Sequence, residues 1–198
     1  MSIICRKCIV LLPKALILYI INQKVMTNIK KLLSQVKAFV FDVDGVFSRP
    51  EVLLHPGGEM MRTMNIKDGY IVQYAIKKGY PIAIITGGFS ESVNERFRKL
   101  GLTDIYARST DKKNDLEDFI FKYHLSPENI LYMGDDIPDI DSLIYVGVPC
   151  CPSDAAEEVK AVCKYISDKK GGEGCVRDVM EQTLKLHGQW MDPNHIRW

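Results

Sequence analysis

Short continuous apolar runs alternate with longer amphipathic stretches from residue 36 to residue 186 of the chain. Val36 with Ala38-Phe39-Val40-Phe41, Tyr80-Pro81-Ile82-Ala83-Ile84-Ile85, Ile105-Tyr106-Ala107, Ile130-Leu131-Tyr132-Met133 and Val146-Gly147-Val148-Pro149-Cys150 are nearly unbroken β-prone segments. Such runs predict parallel strands covered on both faces. Between them lie helical patterns. Asn65 to Lys78 carries Ile71, Val72, Ala75 and Ile76 on one side and stops at Gly79; a segment capped by Ser90 carries Val93, Phe97 and Leu100 and stops at Gly101. Asp111 to His124, Ile137 to Tyr145, Asp154 to Cys163 and Cys175 to about Leu186 complete the set, with Tyr165-Ile166 as a short last strand. The alternation predicts an α/β fold, a Rossmann-like parallel sheet with helices on both faces. One segment departs from it. Val52-Leu53-Leu54 and Glu59 to Met64 flank His55-Pro56-Gly57-Gly58, which predicts a small β-hairpin insertion at about 46–65, projecting over the carboxyl ends of the strands.

The 198 residues suit one domain. We expect residues 1–25 to be an N-terminal extension outside the fold, 26–189 to form the domain, and 190–198 to be an irregular tail whose two tryptophans suggest that part of it docks. The run Ile9 to Ile21 is broken by Pro13 and Lys14 and has no small-residue cleavage site after it, so stable membrane insertion is not expected. A polar-started helix from Thr27 leads into the first strand. The net charge of +1 gives no general attraction to nucleic acid or anionic membrane, so any anion must be recognised locally. Six cysteines without a disulfide framework fit a reducing cytoplasm. Cys5-Arg6-Lys7-Cys8 has the spacing of half a zinc site, but no second pair completes it.

The candidate chemistry begins where the first strand ends, at Asp42-Val43-Asp44-Gly45. In parallel sheets ligands bind at the carboxyl ends of strands. Two carboxylates so close need a hard cation with oxygen ligands, and an Asp oxygen left free can attack phosphorus. The same residues also fit an ordinary acidic turn or part of a calcium loop. Other strand ends and loops bring Thr86-Gly87-Gly88, Lys112, and Gly134-Asp135-Asp136. The Thr86 hydroxyl and the amides of Gly87 and Gly88 suit phosphate oxygens, Lys112 offsets charge, and Asp135 completes an oxygen set for Mg2+. Taken singly they read equally as a turn, a solvated lysine and a helix cap.

Together these motifs resemble the haloacid dehalogenase superfamily of phosphotransferases, from Val36 to about Gln189. The resemblance implies that Asp42 is the nucleophile, Asp44 the acid/base, and Thr86 and Lys112 the second and third motif residues. It implies Mg2+ held by Asp42, the Asp44 carbonyl and Asp135, with Asp136 and Asp139 behind. The hairpin in place of a cap domain, Asn65-x-Lys67-Asp68-Gly69-Tyr70 and Gly171-Gly172-x-Gly174-x-x-Arg177 look like the 3-deoxy-D-manno-octulosonate 8-phosphate phosphatase subfamily. That resemblance implies a homotetramer acting on a phosphorylated sugar acid in lipopolysaccharide precursor synthesis, with His55, Arg62, Lys67, Asp68 and Arg177 near the substrate beside Gly87 and Gly88. Relatives often carry arginine shortly after the Thr-Gly of the second motif, whereas this chain reads Gly88-Phe89. Alternatives are a nine-carbon ulosonate 9-phosphate as substrate, a phospho-accepting receiver, and a noncatalytic oligomerisation module.

Overall fold

The computed structural model describes residues 29–193, so the expectations for residues 1–25, for the start of the first helix and for the end of the tail lie outside the described residues. Helix α1 (29–33) leads into β1 (Ala38–Phe41). The hairpin strands β2 (Leu53–Leu54) and β3 (Met60–Met61) follow, then α2 (Ile66–Lys77), β4 (Ile82–Thr86), α3 (Glu91–Lys99), β5 (Asp104–Ala107) and α4 (Lys112–Lys122). The chain continues through β6 (Ile130–Met133), α5 (Ile140–Tyr145), β7 (Val148–Cys151), α6 (Glu157–Val162), β8 (Tyr165–Ile166) and α7 (Cys175–Leu186).

Six strands form one parallel sheet in the order β5-β4-β1-β6-β7-β8. Each central strand feeds two cores because successive side chains point to opposite faces. Phe39 and Phe41 of β1 join Ile82, Ile84, Leu131 and Met133 under α2, α3 and α7, while Ala38 and Val40 join Ala83, Ile85, Ile130 and Tyr132 under α4, α5 and α6. That double burial is why these strands lack polar alternation. Phe41 pairs with both Ile84 and Met133, which brings the carboxyl ends of β1, β4 and β6 together.

The hairpin is shorter than its sequence pattern predicts, with two residues per strand, and Leu53, Leu54, Met60 and Met61 are all exposed. At the other end of the chain, the segment after α7 is tied to α2: the Tyr74 hydroxyl donates to Gln189 O at 2.5 Å, and the Trp190 ring packs edge-on against Tyr74. Among the described residues no helix is long and apolar enough to cross a membrane.

Candidate active site

Strand β1 ends at Asp42, whose N–H still donates to Met133 O of β6 at 3.0 Å. The chain then leaves the sheet through a turn at Val43–Phe47, closed by the Ser48 N–H on Val43 O. Gly45 stands in that turn at φ +81°, and a β-carbon there would lie 1.9 Å from Asp135 Oδ2. Only glycine satisfies both the left-handed backbone and the approach of Asp135.

Asp42 is 6% exposed, and its Oδ2 lies 2.9 Å from Lys112 Nζ. Lys112 opens α4, where Asp111 caps the helix by accepting the Asn114 N–H, and its ammonium also donates to Asp139 Oδ1 at 2.8 Å. Asp139 is completely buried and accepts further hydrogen bonds from the Tyr132 hydroxyl (2.7 Å) and the N–H groups of Asp135 (3.1 Å) and Asp136 (3.4 Å). It is the anchor around which the loop after β6 folds. Tyr132 is a site residue that strand patterning does not reveal. The available signal was a tyrosine in a continuous apolar strand, whose hydroxyl must find a partner when buried.

Burial first, and the nearby charge of Asp139 second, push the Asp42 carboxyl up to about 7, against the opposing pull of Lys112. Asp135 is pushed up to about 8 by burial and then by Asp42, Asp139 and Asp136. Burial disfavours the Lys112 ammonium, but Asp42 and Asp139 together raise its pKa. Carboxylate oxygens of Asp42, Asp135 and Asp139 all lie within 4.8 Å of one another. One lysine does not compensate two buried acids and the half-buried Asp135, and a small hard cation with oxygen ligands fits the remainder. Asp139 already accepts four hydrogen bonds, leaving Asp42 and Asp135 as the available ligands.

A cavity of about 630 Å³ opens over this cluster, lined by Asp42, Asp44, Thr86, Lys112 and Asp135 among others, including Gly87, Gly88, Asp136 and Asp139. Arg62, which does not itself line the cavity, reaches from just beyond β3 to form a bidentate pair with Asp44, Nε to Oδ1 at 2.7 Å and Nη2 to Oδ2 at 3.0 Å. Gly88 makes room for that pair, since a β-carbon there would lie 3.2 Å from Arg62 Nη2. The Gly88 N–H donates to Thr86 Oγ1 at 3.2 Å.

Residues 97–178 match the model of the haloacid dehalogenase-like hydrolase family. Over 165 residues the chain is 30% identical to the 3-deoxy-D-manno-octulosonate 8-phosphate phosphatase KdsC of Salmonella typhi, covering 83% of this chain and 88% of that protein. The chain belongs to this phosphatase family. The KdsC of Escherichia coli K12 is 31% identical over 154 residues, covering 78% of this chain and 82% of its own length. Among solved structures, the Moraxella catarrhalis phosphatase in complex with magnesium, phosphate and KDO superposes with a TM-score of 0.78 at 32% identity, covering 81% of this chain and 92% of that one. The Yersinia pestis phosphatase superposes with a TM-score of 0.79 at 28% identity, covering 81% and 86%.

Within this KdsC-family chain, several residues expected near the substrate lie outside the cavity. His55 is exposed at the hairpin turn, where its Nδ1 accepts the Gly57 N–H, and Lys67 is exposed in the first turn of α2. Asp68 is fully buried beneath α7, and its Oδ1 accepts the Arg177 N–H at 2.7 Å. A helix start leaves amides without intrahelical partners, and Asp68 serves one of them. Its pKa rises to about 6, chiefly through burial. The Arg177 side chain pairs with Glu181 at 2.7 Å and lies over the Trp190 ring at 4.8 Å. In this chain Asp68 and Arg177 join α2, α7 and the tail.

Proposed function

We propose that this protein is a magnesium-dependent phosphatase that hydrolyses 3-deoxy-D-manno-octulosonate 8-phosphate to the free sugar acid and phosphate, in lipopolysaccharide precursor synthesis. The observation that carries the reaction type is the convergence of Asp42, Asp44, Lys112 and Asp135 on one cavity. An oxygen of Asp42 attacks the phosphorus, the bond from phosphorus to the sugar oxygen breaks, and Asp44 gives that oxygen its proton. Asp44 then takes a proton from water, which attacks the phospho-aspartate and releases phosphate and free Asp42. The pair with Arg62 engages both Asp44 oxygens, so proton donation requires the pair to open when substrate enters. Lys112 fixes Asp42, while Thr86 and the Gly87 and Gly88 segment receive phosphate oxygens. Asp42, Asp135 and the Asp44 carbonyl would hold Mg2+, with Asp136 and Asp139 in support, and the ion would supply the charge neutralisation that lets an anionic ester approach these carboxylates.

The exposed apolar hairpin supports a homotetramer in which neighbouring copies cover it. The four free cysteines of the described chain accord with a cytoplasmic location. The intact acid at Asp44 argues against a receiver, which gains by keeping its acyl phosphate. Steady-state hydrolysis of eight-carbon and nine-carbon ulosonate phosphates tests the substrate. The eight-carbon compound should have the higher kcat/KM, and preference for the nine-carbon compound would overturn that choice.

A further inference from the structure

An octulosonate 8-phosphate carries two anions at opposite ends of its carbon chain. The acid cluster accounts for the phosphate, and the carboxylate needs a cation elsewhere around the mouth. Most of the cations there already have acidic partners: Arg62 holds Asp44, Lys112 holds Asp42 and Asp139, Arg49 pairs with Glu173 at 3.0 Å, and Lys113 pairs with Glu117 at 3.7 Å. Arg108 differs. It follows β5 directly and is exposed, and its guanidinium lies over the Phe89 ring, 4.0 Å from the centroid, with no acidic partner within salt-bridge distance among the described residues.

Its backbone is tied to the phosphate-binding segment. The Arg108 N–H donates to Gly88 O at 3.1 Å, and the next N–H, of Ser109, donates to Thr86 O at 3.0 Å. Arg108 also has φ +58°, a left-handed conformation in which glycine is least strained. An arginine is held there in spite of its backbone. Arg108 lines a groove of about 200 Å³ whose wall at Ser109, Thr110 and Asp111 is shared with the main cavity. Phe89 in turn borders Asp44 and Arg62. A ring beneath a guanidinium fixes its plane without occupying its N–H donors, leaving the fork free for a carboxylate.

We infer that Arg108, seated on Phe89, receives the carboxylate of the sugar acid and is a specificity-determining residue of this phosphatase. The inference rests on the proposed function, since it needs a substrate with an anion remote from the phosphate. The test is steady-state kinetics of wild type, Arg108→Gln and Phe89→Leu with magnesium, on 3-deoxy-D-manno-octulosonate 8-phosphate and on p-nitrophenyl phosphate, which has no carboxylate. Arg108→Gln should raise KM for the sugar acid phosphate about ten- to a hundredfold, the scale of a charged hydrogen bond, with kcat little changed. Phe89→Leu should give a smaller rise in the same parameter. Both variants should hydrolyse p-nitrophenyl phosphate as wild type does, which also shows that they fold. An unchanged KM for the sugar acid phosphate in Arg108→Gln, or an equal loss on both substrates, would overturn the assignment. A wild-type enzyme that cleaves p-nitrophenyl phosphate but not the sugar acid phosphate would instead overturn the substrate reading, and the inference with it.

Discussion

Asp42, Asp135 and Asp139 sit where two neighbouring strands end in a doubly covered sheet, whereas Leu53, Leu54, Met60 and Met61 sit on a two-stranded ribbon with all four side chains exposed. The first region is polar and enclosed: acids are crowded beyond what Lys112 offsets, and the carboxyls of Asp42 and Asp135 are pushed up to about 7 and about 8. The second is apolar and open, with two backbone pairs to hold it. A hairpin of that size is marginal alone in water. Each region is incomplete in its own way, the cluster lacking positive charge and the ribbon lacking apolar cover. The difference teaches that the acid cluster is built into the sheet, while the exposed apolar surface is carried by a peripheral element. Arg62, which reaches from beside β3 to Asp44, connects the two.

The largest expected effect comes from the enclosed region. Asp44→Asn keeps the size of the side chain but removes the proposed acid/base and one of the two acceptors for Arg62, so turnover should fall roughly a hundredfold or more. Turnover within a few-fold of wild type, measured with saturating magnesium, would remove Asp44 from that role.

Next comes the stability of the metal-free protein. Asp42 and Asp135 have folded pKa values above the ordinary 3.8. Their contribution is therefore full below that value and is lost as pH rises through about 7 and about 8. The loss should be on the order of a few kcal/mol. Melting temperature in chelator should fall between pH 5 and pH 8, about the span of the two shifts, and magnesium should restore most of it at the upper end. A metal-free melting curve insensitive to pH, with no response to magnesium, would contradict a charge deficit in the cluster.

The smallest effect belongs to the open region. Leu54→Lys with Met60→Lys places charge on the ribbon without touching the cluster. Sedimentation should show dissociation toward monomers, and kcat/KM on the sugar acid phosphate should drop about tenfold, a loss near 1.4 kcal/mol. Activity on p-nitrophenyl phosphate should hold. Intact oligomers, or equal loss on both substrates, would break the division between the two regions.

Much of the enclosed region is legible in the chain. Asp42, Thr86 and Asp135 each stand at the end of a continuous apolar run, with Asp44 two residues beyond Asp42, and a buried parallel strand presents its next polar residue at the carboxyl edge where ligands bind. Lys112 is legible only in company, because a lysine at a helix start is ordinarily solvated. Tyr132 escaped because strand patterning treats an aromatic residue as core filling. The contact between Asp68 and Arg177 escaped for a different reason. Their contact joins residues 109 positions apart, and nothing near either one announces the other.

The chain by itself determines the alternation of strand and helix, the hairpin interruption and the order of acids, hydroxyl and lysine, because side-chain periodicity and the residues that stop strands and helices act within a few positions. Tertiary structure alone decides that β1 lies between β4 and β6, that Asp139 gathers Lys112, Tyr132 and two backbone amides, and that Arg62 meets Asp44 while Arg108 rests on Phe89. Those pairings depend on which distant segments share a face of the sheet, and local propensity carries no information about that.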